Sequence, residues 1–262
     1  MTKAKKIAIG IDIGGSGIKG APVSMKSGKF KAERLRIPTP ENASPEEIAQ
    51  IVKTIAESFD LPDAPVGVTF PAPIVNGVVP VIANLSQEWV GTHIEELFTQ
   101  TLGRPVSVLN DADAAGFAEV HFGAAKGENG TALTLTLGTG IGSALVREGV
   151  LVPNTEFGHI YFPELPEGSI DAEKWAAAST RDKENLDFPE WAKRLQVVFS
   201  QLELYLAPDV FIVGGGVSKH HEEFLPLIKT RARILPATLF NKAGIVGAAL
   251  AAYQQANQKA KK

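Results

Sequence analysis

Ile7-Ala8-Ile9-Gly10-Ile11-Asp12-Ile13-Gly14-Gly15-Ser16-Gly17-Ile18-Lys19 is an apolar strand that runs into a glycine turn, with an acid before the turn and a lysine after it. Ile7, Ile9, Ile11 and Ile13 are β-branched and alternate with smaller residues, the pattern of a buried strand. Gly14, Gly15 and Gly17 permit positive φ and, with Ser16 among them, place almost no side chain between the backbone N–H groups and an incoming anion. Asp12 suits a hydrated Mg²⁺, and Lys19, on the returning strand, suits a phosphate as a point charge. An ordinary hairpin closed by a glycine turn would carry the same residues, so the stretch alone leaves both readings open.

Two commoner phosphate motifs are excluded. Gly15-x-Gly17-x-x-Gly20 matches the dinucleotide fingerprint in spacing, but Ala21-Pro22-Val23 follows where a helix would have to start. No G-x-x-x-x-G-K-[ST] sequence occurs anywhere.

Composition narrows the field further. At 262 residues, 44% hydrophobic and 21% charged, the chain can bury one large core or two modest ones. A net charge of -3 argues against a nucleic-acid binder while leaving room for a local basic groove toward a polyanion. The lack of cysteine removes disulfides, thiolate nucleophiles and Cys-ligated zinc, and fits a cytoplasmic protein. The apolar run behind Lys3, Lys5 and Lys6 is broken at Gly10, Asp12 and Gly14, so it reads as neither signal peptide nor membrane span.

Outward from the opening stretch, Ile18 to Ser24 and Phe30 to Ile37 complete a three-strand meander. Ser44-Pro45-Glu46-Glu47 supplies an N-cap, a proline at the first helical position and two first-turn acids for a helix to about Phe59. Pro65 to Phe70 and Val78 to Ala83 read as strands, and Thr92 caps a helix to about Leu102. Pro105 to Leu109 is a strand that stops at Asn110-Asp111, and a helix follows directly to about Phe122. A meander extended by parallel crossovers is the order of ribonuclease H-like folds.

From Thr131 the pattern restarts. Thr134-Leu135-Thr136-Leu137 runs into Gly138-Thr139-Gly140-Ile141-Gly142, and the strand returns to Val146. The two glycine turns lie on the order of 125 residues apart, which predicts two similar α/β domains around a central cleft. The expected division is 1–112, joined by the closing helix 245–258, and 113–244. Pro153 to about Asp187 reads as irregular, with one short helix near Ala172 to Ala178. Phe188 to Leu206 reads as a helix with Trp191, Leu195, Val198, Leu202 and Tyr205 near one face. Val210 to Val213 is a buried strand entering Gly214-Gly215-Gly216, with a helix from Ser218, and Ile245 to Gln255 closes the chain as an Ala-rich helix.

Four strand ends therefore lead into glycine-rich or acidic loops, at 14–17, 110–113, 138–142 and 214–216. Three can wrap phosphates with backbone N–H groups and one offers carboxylates, a division that suits phosphoryl transfer, where catalysis is positioning and charge neutralisation. Asp111 lies at a helix N-terminus whose field favours its charge, and there it could accept the proton of a substrate hydroxyl. Helix capping is the plain alternative for Asp111 or Asp113. Glu156-Phe157-Gly158-His159 holds two residues capable of binding a metal, but one pair in a loop lacks the further ligands a metal needs.

The order of these motifs resembles the sugar kinases of the actin-like ATPase superfamily, and among them the ROK family (repressors, open reading frames, kinases). Asp12-Ile-Gly-Gly-Ser-Gly-Ile-Lys19 is similar to its first phosphate motif, with Ser16 where threonine is usual. Asn110-Asp111-Ala112-Asp113-Ala114-Ala115 is similar to the segment of the catalytic aspartate, Leu137 to Gly142 to the second phosphate motif, and Ile212 to Gly216 to the adenosine motif. The likeness covers nearly the whole chain. It implies that Gly138, Thr139, Gly140, Gly142, Gly214, Gly215 and Gly216 bind phosphate or nucleotide, as Asp12, Gly14, Gly15, Ser16, Gly17 and Lys19 do. It further implies that Glu156 and His159 hold sugar hydroxyls, with Asn84, Asn110 and Asp111, and that Thr69 or Pro71 lines the pocket.

Most ROK members carry a Cys-rich zinc motif, and its absence here resembles the family's compact branch, which uses inorganic polyphosphate. Gly67-Val68-Thr69-Phe70-Pro71 and Phe211 to Lys219 are close to that branch, with Ala72 in place of its usual glycine. The resemblance implies transfer of a phosphoryl group from polyphosphate, and from ATP, to the 6-hydroxyl of glucose, with Mg²⁺ held through water by Asp12, no structural zinc, no nucleic acid or membrane partner, and a homodimer. Lys126, Arg147, Lys183, Lys193, Arg194, Lys219, Arg231 and Arg233 are the cations available to a polyphosphate chain. The alternatives are a strictly ATP-dependent glucokinase, a kinase for mannose or another hexose, a sugar-responsive regulator, and a filament-forming actin-like protein. About six residues precede the first strand, too few for the helix-turn-helix that a regulator would need.

Overall fold

In the computed structural model, which describes residues 6–82, 85–162 and 170–259, the opening stretch forms β1 (Ile7–Gly14) and β2 (Gly17–Ser24), antiparallel, with Asp12 opposite Lys19. Ile9, Ile11 and Ile13 are fully buried, as their alternation requires. β3 (Leu35–Ile37) places Arg36 opposite Lys19 on the far side of β2. It is shorter than the strand expected from Phe30, which makes only an isolated bridge to Val23, because the intervening Lys31, Glu33 and Arg34 are exposed and give the core nothing.

α1 (Pro45–Glu57) opens with a complete capping box: Glu47 N–H donates to Ser44 Oγ, and Ser44 N–H donates to the Glu47 carboxylate. β4 (Val66–Phe70) then runs parallel to β1, and after α2 (Ile94–Leu102) β5 (Val106–Asn110) runs parallel to β4. Residues 78–82 are not a strand; Val78 bridges Val75 and His93 within a tight loop, and Trp89 fills the core nearby. Thr92 does not cap α2, since its hydroxyl donates back to the Glu88 carbonyl and His93 takes the cap position. α3 (Asp111–Phe122) leaves β5 without a connecting loop.

The meander repeats in β6 (Thr131–Leu137), β7 (Ile141–Arg147) and β8 (Val150–Val152). A short ladder of β9 (Tyr161–Phe162) and β10 (Ile170–Asp171) leads into α4 (Ala172–Ala176) and α5 (Ala178–Glu184). One helix was expected here, but Ala177 is extended, with ψ 155°, and splits the run in two. α6 (Phe188–Leu206) has the expected span and buries Trp191, Leu195, Val198 and Leu202, while Tyr205 is 65% exposed and lies off that face. β11 (Val210–Gly214) is buried throughout. The helix expected from Ser218 is a 3₁₀ turn, Gly216–His220, followed by the short α7 (His221–Phe224), and β12 (Arg233–Pro236) adds an edge strand with no counterpart in the sequence reading. α8 (Ala243–Lys259) ends the described chain.

The two sheets have one plan, β3-β2-β1-β4-β5 and β12-β11-β6-β7-β8, each an antiparallel meander continued by two parallel strands. The chain forms two compact units: one runs to Ala118 and is completed from Asn241 onward, and the other is Glu119–Phe240. α8 packs on the first sheet at very short range. A Cβ on Gly67 would lie 1.9 Å from the Ala248 carbonyl oxygen, so only glycine allows that contact.

Candidate active site

In the first unit, the C-terminal ends of β1, β4 and β5 bring the polar residues together, the edge at which parallel sheets bind ligands. Asp12 is the register partner of Thr69, whose hydroxyl donates to Asp12 Oδ1 at 2.8 Å and fixes that carboxylate. Asn110, buried at the end of β5, accepts the N–H groups of Ala112 at 2.9 Å and Asp113 at 3.2 Å through Oδ1. Asn110 is therefore the main cap of α3, a duty the sequence had offered to Asp111 or Asp113. Its oxygen is committed, which leaves its amide nitrogen as the group able to face a ligand. Asp111 accepts the Ala112 N–H at 2.8 Å and is exposed. Asn84 lies outside the described residues.

The turn carrying Gly14, Gly15, Ser16 and Gly17 is fastened from β3 and the segment after it. Thr39 Oγ1 donates to the Gly14 carbonyl and Arg36 Nη2 to the Ser16 carbonyl, both at 2.6 Å.

In the second unit, Gly138 N–H donates to the Gly140 carbonyl at 2.9 Å and closes the turn between β6 and β7; Gly142 already belongs to β7. Two residues of the following helices hold this turn. Ile141 N–H donates to Glu173 Oε2 at 3.0 Å, and Ser179 Oγ donates to the Thr139 carbonyl at 2.6 Å. A Cβ on Gly140 would lie 2.1 Å from Glu173 Oε2, so the carboxylate occupies the space that a side chain would take. Between this turn and the Gly214-Gly215-Gly216 loop lies a cavity of about 410 Å³, lined in part by Thr139, Ser179, Arg181, Gly216, Lys219 and His220.

Glu156 precedes the 3₁₀ turn Phe157–His159, which is tied to β7 by the Phe157 N–H donating to Ser143 Oγ at 3.0 Å. His159 Nδ1 is 3.7 Å from Asp171 Oδ2, and Asp171 caps α4. Burial raises the pKa of Glu156 above the ordinary carboxylate range; His159 opposes the shift and the Glu173 carboxylate adds to it. The Glu-x-x-His pair thus sits beside further acids, yet among the described residues no group of three or more His, Asp or Glu is arranged to hold a metal.

Glu173, Ser179, Arg36 and Thr39 were not singled out in the sequence. Asp171-Ala172-Glu173 reads locally as a helix cap and a first-turn acid, and nothing nearby announces its hydrogen bond to Ile141, 32 residues away. Several candidate cations are engaged elsewhere: Arg233 with Glu128 and Arg194 with Glu184, each at 2.6 Å, and Arg231 with the Pro208 carbonyl at 2.7 Å. Lys219 lines the cavity.

A sequence profile described as the ROK family matches residues 8–173, more than half of the chain. The chain belongs to the ROK family. The ROK match takes in both glycine turns, Asn110-Asp111, Glu156, His159 and Glu173. A polyphosphate glucokinase of Mycobacterium tuberculosis is 43% identical over 92% of this chain and 89% of its own. The crystal structure of an inorganic polyphosphate/ATP-glucomannokinase from Arthrobacter sp. strain KM is similar with a TM-score of 0.84 and 48% identity, covering 95% of this chain and 99% of that one. A ROK family glucokinase from Streptomyces griseus, solved with glucose and AMPPNP, gives a TM-score of 0.75 and 25% identity over 93% of this chain and 98% of that one. The two five-stranded units are accordingly the actin-like ATPase fold of ROK sugar kinases.

Proposed function

We propose that this chain is a glucokinase that moves the terminal phosphoryl group of inorganic polyphosphate, and of ATP, onto the 6-hydroxyl of glucose. The observation that carries the reading is the 48% identity to the polyphosphate/ATP-glucomannokinase across 95% of the chain. The site chemistry agrees with it. The 6-oxygen forms a bond to phosphorus as the bridging P–O bond to the rest of the donor breaks, and the hydroxyl proton passes to the Asp111 carboxylate. Asn110 donates its amide N–H groups to the sugar, and Glu156 and His159 hold further hydroxyls. The turns at 14–17, 138–142 and 214–216 bind the donor's phosphates.

Mg²⁺ fits Asp12, because Thr69 occupies one carboxylate oxygen and leaves the other for a hydrated ion, and Mg²⁺ usually takes few protein ligands and completes its shell with phosphates and water. When bound, it neutralises phosphate charge. Mannose as a second acceptor, a homodimer and a cytoplasmic location belong to the same reading; no described helix is long and apolar enough to cross a membrane.

The test is formation of glucose 6-phosphate by purified protein with Mg²⁺ and glucose, given nucleotide-free polyphosphate or ATP as sole donor. Turnover with polyphosphate supports the reading. Turnover with ATP alone replaces it with an ATP-dependent glucokinase, and turnover with neither directs attention to other hexoses.

A further inference from the structure

Asp12, Lys19 and Arg36 are register partners in one row across β1, β2 and β3, so their side chains leave from one face of the sheet. Gly17 lies on that face as well. A Cβ built on it would fall 2.7 Å from Arg36 Nε and 2.9 Å from Cζ, which places the guanidinium directly over the turn, held there by its hydrogen bond to the Ser16 carbonyl. The missing side chain of Gly17 therefore makes room for a cation, whereas a Cβ on Gly15 would meet nothing within 4 Å. Like charges directly opposite each other on adjacent strands repel; Asp12, across from Lys19 in the same row, offsets this on the Lys19 side, whereas among the described residues Arg36 forms no ion pair. An anion over the row would complete the offset at Arg36.

We infer that Arg36 and Lys19 form a two-cation clamp for a condensed phosphate chain, binding donor phosphates beside the one that is transferred. The inference rests on the polyphosphate-kinase reading above and adds to it a residue and a substrate class for the first turn. Arg36 suits the role. One of its five N–H groups is spent on Ser16, which fixes the plane of the fork, and the others remain for phosphate oxygens. Lys19 contributes a point charge in the same row. Two cations match consecutive phosphates, each of which carries charge, better than one isolated anion.

The experiment is calorimetric binding of inorganic tripolyphosphate to the full chain at low salt, for wild type, Arg36→Gln, Arg36→Lys and Gly17→Ala, with circular dichroism to establish that each is folded. Arg36→Gln is expected to weaken binding about tenfold, Arg36→Lys to recover part of it, and the loss to shrink as salt screens the clamp. Gly17→Ala, which displaces the guanidinium, is expected to weaken binding on its own and to make Arg36→Gln nearly silent when the two are combined. The KM for glucose is expected to stay within twofold in Arg36→Gln. Wild-type binding that Arg36→Gln leaves within twofold, or a loss that persists undiminished at 1 M salt, overturns the clamp. Because binding is read without turnover, failure of polyphosphate as a donor would count against the functional reading and leave this measurement to decide the clamp.

Discussion

The two units hold their glycine turns with fasteners of opposite charge. At Gly14–Gly17 the charged fastener is the Arg36 guanidinium on a carbonyl; at Gly138–Gly142 it is the Glu173 carboxylate on an N–H. Each turn also has one neutral hydroxyl, from Thr39 and from Ser179. The backbone plan is the same, strand, turn and returning strand, but a cation at the first turn adds to the pull on phosphate and a carboxylate at the second subtracts from it. The second turn is instead coupled to Glu156, the residue proposed to hold sugar hydroxyls, since Glu173 also raises the pKa of Glu156. Repetition of a supersecondary unit thus fixes where N–H groups point, and the residues that come to rest against it decide what it does.

The largest effect should come from the end of β5, in the same unit as the first turn. Asp111→Asn keeps the shape and removes the proton acceptor, so turnover should fall about 10³-fold while the melting temperature changes little. Retention of most of the turnover in the folded variant would move the chemistry away from this unit, and the contrast between the units would lose its catalytic meaning.

Breaking the negative fastener comes next. Glu173→Ala leaves the Ile141 N–H without its charged acceptor and opens space beside Gly140, and loss of a charge-assisted hydrogen bond of about 2 kcal/mol should lower kcat/KM roughly 30-fold. The readout is steady-state kinetics for both substrates, with glucose and donor affected together because the residue touches the Gly138–Gly142 turn, proposed to bind phosphate, and acts on Glu156. If only the donor KM moved, the coupling between this turn and Glu156 would be refuted.

That coupling has a pH signature. A raised pKa means that folding favours the neutral form of Glu156, so this group's contribution to stability is present at low pH and declines as the pH rises through the interval from its unfolded to its folded pKa. Sugar binding asks for the opposite form, because a carboxylate that accepts hydroxyl protons must be ionised. The KM for glucose should therefore rise as the pH falls through the raised pKa, by up to about tenfold per pH unit, and this dependence should be absent from Glu156→Gln. In Glu173→Gln the rise should begin at lower pH. A profile that Glu173→Gln leaves unmoved would show the two acids to be independent.

Much of this arrangement was legible in the sequence because it is local. The alternation of Ile7 to Ile13, the cap at Ser44 and the strand that stops at Asn110-Asp111 each express their structure within a few residues. The missed features depend on partners distant in sequence. Arg36 and Thr39 act over 20 and 25 residues, and Glu173 and Ser179 over 32 and 40, so no window on the sequence contains both ends. Gly17 is instructive. Its glycine was readable, but whether the vacated space serves an anion or a guanidinium depended on the register of β3. Similarly, Ala177 has high helix propensity and gave no sign of the break between α4 and α5.

The smallest effects should come from the neutral fasteners, and they test the comparison most cleanly because neither carries charge. Thr39→Val and Ser179→Ala each remove one hydroxyl that donates to a turn carbonyl at 2.6 Å, a bond worth about 1 kcal/mol. The Thr39 bond is partly buried and the Ser179 bond is exposed, where water can replace the lost donor. Thr39→Val should therefore raise the donor KM several-fold, and Ser179→Ala by less than twofold. If the charged fasteners define the two turns, combining Thr39→Val with Arg36→Gln should exceed the sum of the single effects in free energy, because the first turn would then have lost both holds. Ser179→Ala should add nothing beyond its own small effect to Arg36→Gln, since the two act in different units.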